Sequence, residues 1–74
     1  MPHRYETLFD RWLRANEIKP LWLARKSGIS RQTISRLRRG LTHGTPRTRR
    51  DLIAACTALT RQVVTIEELF GDGE

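Results

Sequence analysis

The stretch that decides the fold is PLWLARKSGISRQTISRLRRG, residues 20–40. Its pattern predicts two short helices joined at a tight corner. Proline is well tolerated in the first turn of a helix, so the first of the two is expected to begin at Pro20 and to run to Lys26 or Ser27. Gly28 follows, and glycine adopts positive φ without a steric penalty. We therefore expect the chain to turn sharply there.

The second helix of the pair is expected to be polar on its outer side. Ser30 is a suitable N-cap, because its hydroxyl can accept a hydrogen bond from the amide two or three residues further on, and Gly40 is a suitable C-cap. Ile34 and Leu37, three residues apart, face the core. The residues left on the outer side are Arg31, Gln32, Ser35 and Arg36, with Thr33 at the margin.

Three more helices are predicted outside this stretch. Their apolar residues are Tyr5, Leu8, Phe9, Trp12 and Leu13 in the first helix of the chain, Leu52, Ala55, Cys56 and Leu59 in the fourth, and Ile66, Leu69 and Phe70 in the fifth. Thr45 or Pro46 opens the fourth helix, and Thr65 with Glu68 forms a capping box at the start of the fifth. The sequence thus predicts an all-α, compact five-helix bundle.

Length and composition exclude several classes of protein. The 74 residues are expected to form one domain over residues 1–74, with flexible ends at 1–4 and 71–74. A single cysteine excludes an internal disulfide, and with only two histidines, His3 and His43, we expect no metal site and no cofactor. No apolar run has the length of a membrane span or a signal sequence, which favours the cytoplasm and association with the nucleoid when DNA is bound.

The charge is the most informative part of the composition. The formal net charge is +6, and the window from Ile18 to Arg50 holds ten basic residues and no acidic one. A surface selected only for solubility would mix the two signs, so this block indicates a polyanionic partner. Twelve of the fourteen cations are arginine, whose planar five-donor group suits phosphate and guanine edges.

The residue 20–40 stretch resembles the helix-turn-helix of the phage repressor and Cro family (XRE-like) of DNA-binding proteins, and TIEELFGD, residues 65–72, resembles the short fifth helix of that family. The resemblance implies a lambda-repressor-like DNA-binding domain with its helix-turn-helix at about residues 20–39. It also implies that the third helix enters the major groove of double-stranded DNA. Members of the family usually bind as homodimers, so we expect a homodimer, at least on DNA, and a repressor-like role in transcription regulation.

The resemblance also assigns roles to individual residues. The base-contacting residues would be Arg31, Gln32, Arg36 and Ser35. The residues contacting the DNA backbone would be Lys19, Ser30, Thr33, Thr42, His43, Thr45, Arg47 and Thr48. Glutamine can bridge adenine N6 and N7, and arginine guanine O6 and N7, so the residue types suit the base-reading role.

The chain departs from the family pattern in three places. Arg38 stands where the family often has an acid, which is expected to strengthen the electrostatic grip on DNA. Pro20 replaces a polar residue that bonds phosphate in many members. The link over residues 60–64 is longer than usual, and we expect a dimer surface near it, formed by Val63, Val64, Leu69 and Phe70.

Two other classes of function compete with DNA-binding regulation. One is a DNA-binding antitoxin or protein-interaction module of a toxin–antitoxin pair, for which the neighbouring Leu21 and Trp22 could serve as a partner surface, although Trp22 is interpreted as a cover over the edge of the core in preference to a partner anchor. The other is an enzyme, which we do not expect, because the serines lack a His/Asp setting and no paired carboxylates or glycine-rich phosphate loop occurs. No small-molecule substrate and no membrane partner is evident.

Overall fold

Apolar side chains at helical spacing build five helices within residues 7–71, which are the residues that the computed structural model describes. The helices are α1 (Leu8–Ala15), α2 (Pro20–Ser27), α3 (Arg31–Arg39), α4 (Pro46–Thr60) and α5 (Ile66–Phe70). The all-α five-helix prediction is confirmed for this part of the chain. The radius of gyration of 11.1 Å is about the value expected for a compact chain of this length. Tyr5 and the predicted flexible ends, Gly71 apart, lie outside the described residues.

One hydrophobic core lies between the helices. Its buried members are Phe9, Leu13, Ile18, Leu23, Ile34, Leu37, Leu52, Ala55, Cys56, Val64 and Leu69. Trp12 and Leu59 pack against it while partly buried. Leu8, predicted to belong to the apolar stripe of α1, is exposed instead. The reason is angular: α1 buries the side centred on Phe9 and Leu13, and Leu8 lies about 100° round the helix from Phe9.

Cys56 is a fully buried free thiol in the middle of α4. Burial raises the pKa of the Cys56 thiol to about 12, because the thiolate would lose its hydration in the apolar core. The residue therefore acts as a small core side chain, which is the role that the spacing of α4 predicts.

The corner between α2 and α3 is closed by local hydrogen bonds. Gly28 has φ +78°, in the left-handed region, and its amide donates to the carbonyl of Ala24 at 2.9 Å. The amide of Ile29 donates to Ser27 Oγ at 3.1 Å. Ser30 caps α3 by accepting from the amide of Thr33 at 3.1 Å. The predicted turn at the glycine and the predicted serine cap are both present.

Replacing Gly28 with alanine is expected to lower the free energy of unfolding by about 1–2 kcal/mol, the usual cost of left-handed backbone in an L-residue. A Cβ at this position would meet nothing within 4 Å, so only the backbone conformation is at issue. Asparagine, which tolerates this conformation better, should cost less than alanine. Urea unfolding of the two variants measures the difference. An alanine variant as stable as the parent would show that the corner relaxes to another conformation.

An ion pair between a buried aspartate and a half-buried arginine ties α1 to the C-terminal end of α3. Asp10 is buried, and Arg38 Nε donates to its Oδ1 at 2.7 Å, while Arg38 Nη2 lies 2.7 Å from the same oxygen in an ion-pair contact. Arg14 Nε lies 3.1 Å from the other oxygen, Oδ2, in an ion-pair contact that does not meet hydrogen-bond geometry. The hydroxyl of Thr7 donates to the Arg38 carbonyl at 3.0 Å. Arg38 therefore has a structural role through its pairing with Asp10, and the expectation that it strengthens the grip on DNA stays a prediction.

Candidate nucleic-acid interface

The outer side of α3 presents hydrogen-bond donors to solvent. Arg31, Gln32 and Arg36 are exposed, and Ser35 and Thr33 are half-buried. The opposite side of the same helix is inside the molecule, where Ile34 and Leu37 belong to the core. The exposed side of α3 thus carries two guanidinium groups and one carboxamide. The orientation of the helix is set by the packing of its buried side and by the Asp10–Arg38 pair near its C-terminal end.

A groove of about 480 Å³ runs between this side of α3 and the start of α2. It is lined by Pro20, Arg31, Gln32, Ser35 and Arg38, among which there is no acid. Lys19, the N-cap of α2, directly precedes Pro20 in the chain and is not among the residues that line the groove. Its ammonium lies 5.5 Å from the centre of the Trp22 ring, a cation–π contact that restricts where the charge can go.

The starts of α3 and α4 are built alike. At α3, Ser30 Oγ accepts from the Thr33 amide and donates to Thr33 Oγ1 at 2.9 Å. At α4, Thr45 Oγ1 accepts from the Thr48 amide and donates to Thr48 Oγ1 at 3.0 Å. Ser30 and Thr45, both predicted to contact the DNA backbone, are therefore engaged as caps. Thr33 and Thr48 each keep a hydroxyl proton that can be donated outward.

The loop between α3 and α4 is braced by its own contacts. Thr42 Oγ1 accepts from the amide of Gly44 at 3.2 Å. Arg49 is buried, donates from Nε to the His43 carbonyl at 2.7 Å, and lies with its guanidinium 5.1 Å from the centre of the Phe70 ring. The His43 side chain is exposed. Arg49 thus holds the loop through its carbonyl group. The sequence did not predict this role, because an arginine among many basic residues is expected to be a surface charge.

The predicted contact residues fall into two groups. The first lies on α3 at the α2–α3 groove, and Lys19, at the start of α2, has its ammonium close to the Trp22 ring. The second lies in the loop after α3 and at the start of α4, and consists of Thr42, His43, Thr45, Arg47 and Thr48. Within it, His43 lines a separate cleft of about 590 Å³ together with Pro46 and Arg50. In both groups the start of a helix is exposed, and its outward amides provide partial positive charge for an anion.

The predicted dimer surface requires correction. Val64 and Leu69 are only 6% and 0% exposed, so they are core residues and not a surface. Phe70 is half-buried and stacks on Phe9, with the ring centres 5.4 Å apart and 27° between the planes. Of the four residues Val63 is the exposed one, at 86%. From sequence alone, valine, leucine and phenylalanine close to the chain end can be either interface or core residues. In this small domain Val64, Leu69 and Phe70 complete the core.

Neither a metal site nor a membrane span is formed by the part of the chain that is described. Residues 7–71 bring no three His, Cys, Asp or Glu side chains into a group able to hold a metal ion. No helix within these residues is long and apolar enough to cross a bilayer. Comparison of the chain with protein-family models, curated proteins and solved structures gives no match.

Proposed function

We propose that this protein binds double-stranded DNA in a sequence-specific manner and regulates transcription by occupying its site. In this proposal α2 and α3 act as a helix-turn-helix of the phage repressor and Cro type, and α3 enters the major groove. The observation that carries the proposal is the exposed set of Arg31, Gln32 and Arg36 on a helix that is anchored on its other side.

The chemistry of this set matches base edges. Each arginine can donate two parallel hydrogen bonds to guanine O6 and N7, and Gln32 can pair with adenine N6 and N7. Ser35, half-buried on the same side, can donate to a base acceptor at close range. A purely solvated helix face would mix acids with these cations, whereas the window from Ile18 to Arg50 contains no acid.

Phosphate contacts come from the edges of this surface. Lys19 and Arg47 supply exposed charges, and Thr33 and Thr48 supply hydroxyl donors at the starts of α3 and α4. Contacts of this kind set the register of a protein on the duplex without reading its sequence. The protein would bind as a homodimer on DNA, with two copies of α3 about 34 Å apart in successive turns of one groove. Val63 remains as the exposed candidate for contact between the copies.

Selection of bound duplexes from a random pool, followed by sequencing, tests the proposal. The expected result is an inverted repeat whose half-sites are about one helical turn apart. The affinity for the selected duplex should fall with salt at about −0.9 in log–log slope per phosphate contacted. A pool that stays random after several rounds, together with equal affinity for all duplexes, would reject sequence-specific binding. Absence of any salt dependence would reject binding to nucleic acid altogether.

A further inference from the structure

An apolar pair on α2 is exposed to solvent although the core lies directly beneath it. Leu21 is 39% exposed and Trp22 is 47% exposed, and the next turn of the helix places the exposed Arg25 and Lys26 beside them. We call Leu21, Trp22, Arg25 and Lys26 the α2 outer patch. Lys19, with its ammonium 5.5 Å from the Trp22 ring, lies at its edge.

The α2 outer patch does not belong to the proposed DNA surface. Pro20 lines the groove that α2 shares with α3, and at 100° per residue Trp22 lies 200° round the helix from Pro20. Leu23 points into the core and is fully buried, so the helix is also fixed in rotation. The patch therefore faces away from the groove, and contact of α3 with bases leaves it uncovered.

The cations of the patch have no acidic partner within the chain that is described. Neither Arg25 nor Lys26 forms an ion pair with any acid of residues 7–71, whereas Arg38 and Arg14 share Asp10. A large aromatic side chain flanked by unpaired cations is the arrangement of an interface anchor with a charged rim: the ring supplies the contact area, and the charges steer a partner of opposite sign.

We propose that the α2 outer patch binds an acidic protein segment that carries a large apolar side chain. The apolar side chain packs on Trp22 and Leu21, while carboxylates on either side of it pair with Arg25 and Lys26. A phosphate and a carboxylate could both pair with Arg25 and Lys26, but a protein segment also brings an apolar side chain that gains contact with Leu21 and Trp22, so a protein segment is favoured over the DNA backbone. This interaction is additional to the proposed DNA binding and leaves α3 accessible.

Selection of phage-displayed random peptides on the purified full chain tests the inference. The expected consensus has two or more Asp or Glu residues around one Leu, Phe or Trp. A synthetic peptide of that consensus should lose about tenfold or more in affinity for the Trp22→Ser variant, as expected for an interface anchor. The Lys26→Glu variant, an exposed charge reversal that leaves the core intact, should weaken the peptide as well and shift its salt dependence.

The matched control is Leu41→Ser, which alters an exposed apolar side chain outside the patch and should leave peptide affinity unchanged. The indole N–H signal of Trp22 should shift on addition of the peptide, and that of Trp12 should shift less. A consensus without acids, or undiminished binding to the Trp22→Ser variant, would overturn the inference. Displacement of the peptide by a duplex that the protein binds would also overturn it, because the patch would then be part of the DNA surface. If no duplex binds but the peptide results hold, the inference stands and the proposed DNA function fails.

Discussion

Replacing Arg38 with methionine is expected to lower the free energy of unfolding by about 3 kcal/mol, at the low end of the range for breaking a buried ion pair. The substitution keeps most of the side-chain volume but removes the guanidinium group that pairs with Asp10. The Asp10 side chain is only 2% exposed. Only the 3.1 Å contact with Arg14 would then oppose the burial of that carboxylate. The total free energy of unfolding of a domain of this length is about 4–11 kcal/mol, so the melting temperature of the variant should fall by many degrees.

Two further variants separate the ion pair from general packing. Arg36→Met, two residues away on the exposed side of α3, should change stability by about 0.5 kcal/mol or less. The double variant Asp10→Leu with Arg38→Met removes the buried charge together with its partner, and should recover most of the loss. If Arg38→Met alone is as stable as the parent, then the fold accommodates Asp10 without Arg38, and the pair does not hold α3 in place.

Under the proposed function, Gln32→Ala and Arg47→Ala are expected to weaken DNA binding in different ways. Loss of a bidentate contact to adenine should cost about 1–3 kcal/mol for each half-site of the selected duplex, or roughly 5- to 150-fold in affinity for each, and should relax selection at one base pair of each half-site. Loss of the Arg47 charge should weaken selected and random duplexes alike, and should make the salt slope shallower by about one per protomer.

The comparison requires both duplex types at several salt concentrations, with titrations followed by fluorescence anisotropy. Arg61→Ala, which removes an exposed cation at the far end of α4, is the charge-matched control and should have a small effect. A Gln32→Ala variant that loses selected and random duplexes equally would show that Gln32 is not a base reader. An Arg47→Ala variant with an unchanged salt slope would remove that residue from the phosphate contacts.

Sequence patterns predicted the helices and the corner because these features depend on local rules. Gly28 and Gly40 both adopt positive φ at helix ends, Ser30 and Thr45 act as caps, and Thr65 with Glu68 forms both halves of a capping box. Each of these depends on residues at most four positions apart. The start of α1 is another local case, since Thr7 accepts a hydrogen bond from the amide of Asp10 and caps the helix.

The long-range contacts were not predictable in the same way. Asp10 pairs with Arg38, which lies 28 positions away in the chain. The spacing of α1 gives no sign that Asp10 is buried, except that it lies between Phe9 and Leu13 in the chain. Arg49 is buried because the loop carbonyl of His43 and the ring of Phe70 surround its guanidinium, which a charge count does not reveal. The exposed residues of the candidate site could therefore be predicted from the sequence, whereas the contacts that orient them could not.

The burial of Cys56 has a practical consequence for anyone handling the protein. Thiol reagents attack the thiolate, and a side chain with no exposed surface and a pKa of about 12 offers almost none at neutral pH. Because this is the chain's one cysteine, any labelling of the native protein must follow an opening of the core. The rate at which a thiol reagent labels the protein in plain buffer therefore reports how often the domain opens, without denaturant, and air oxidation should not link two folded copies.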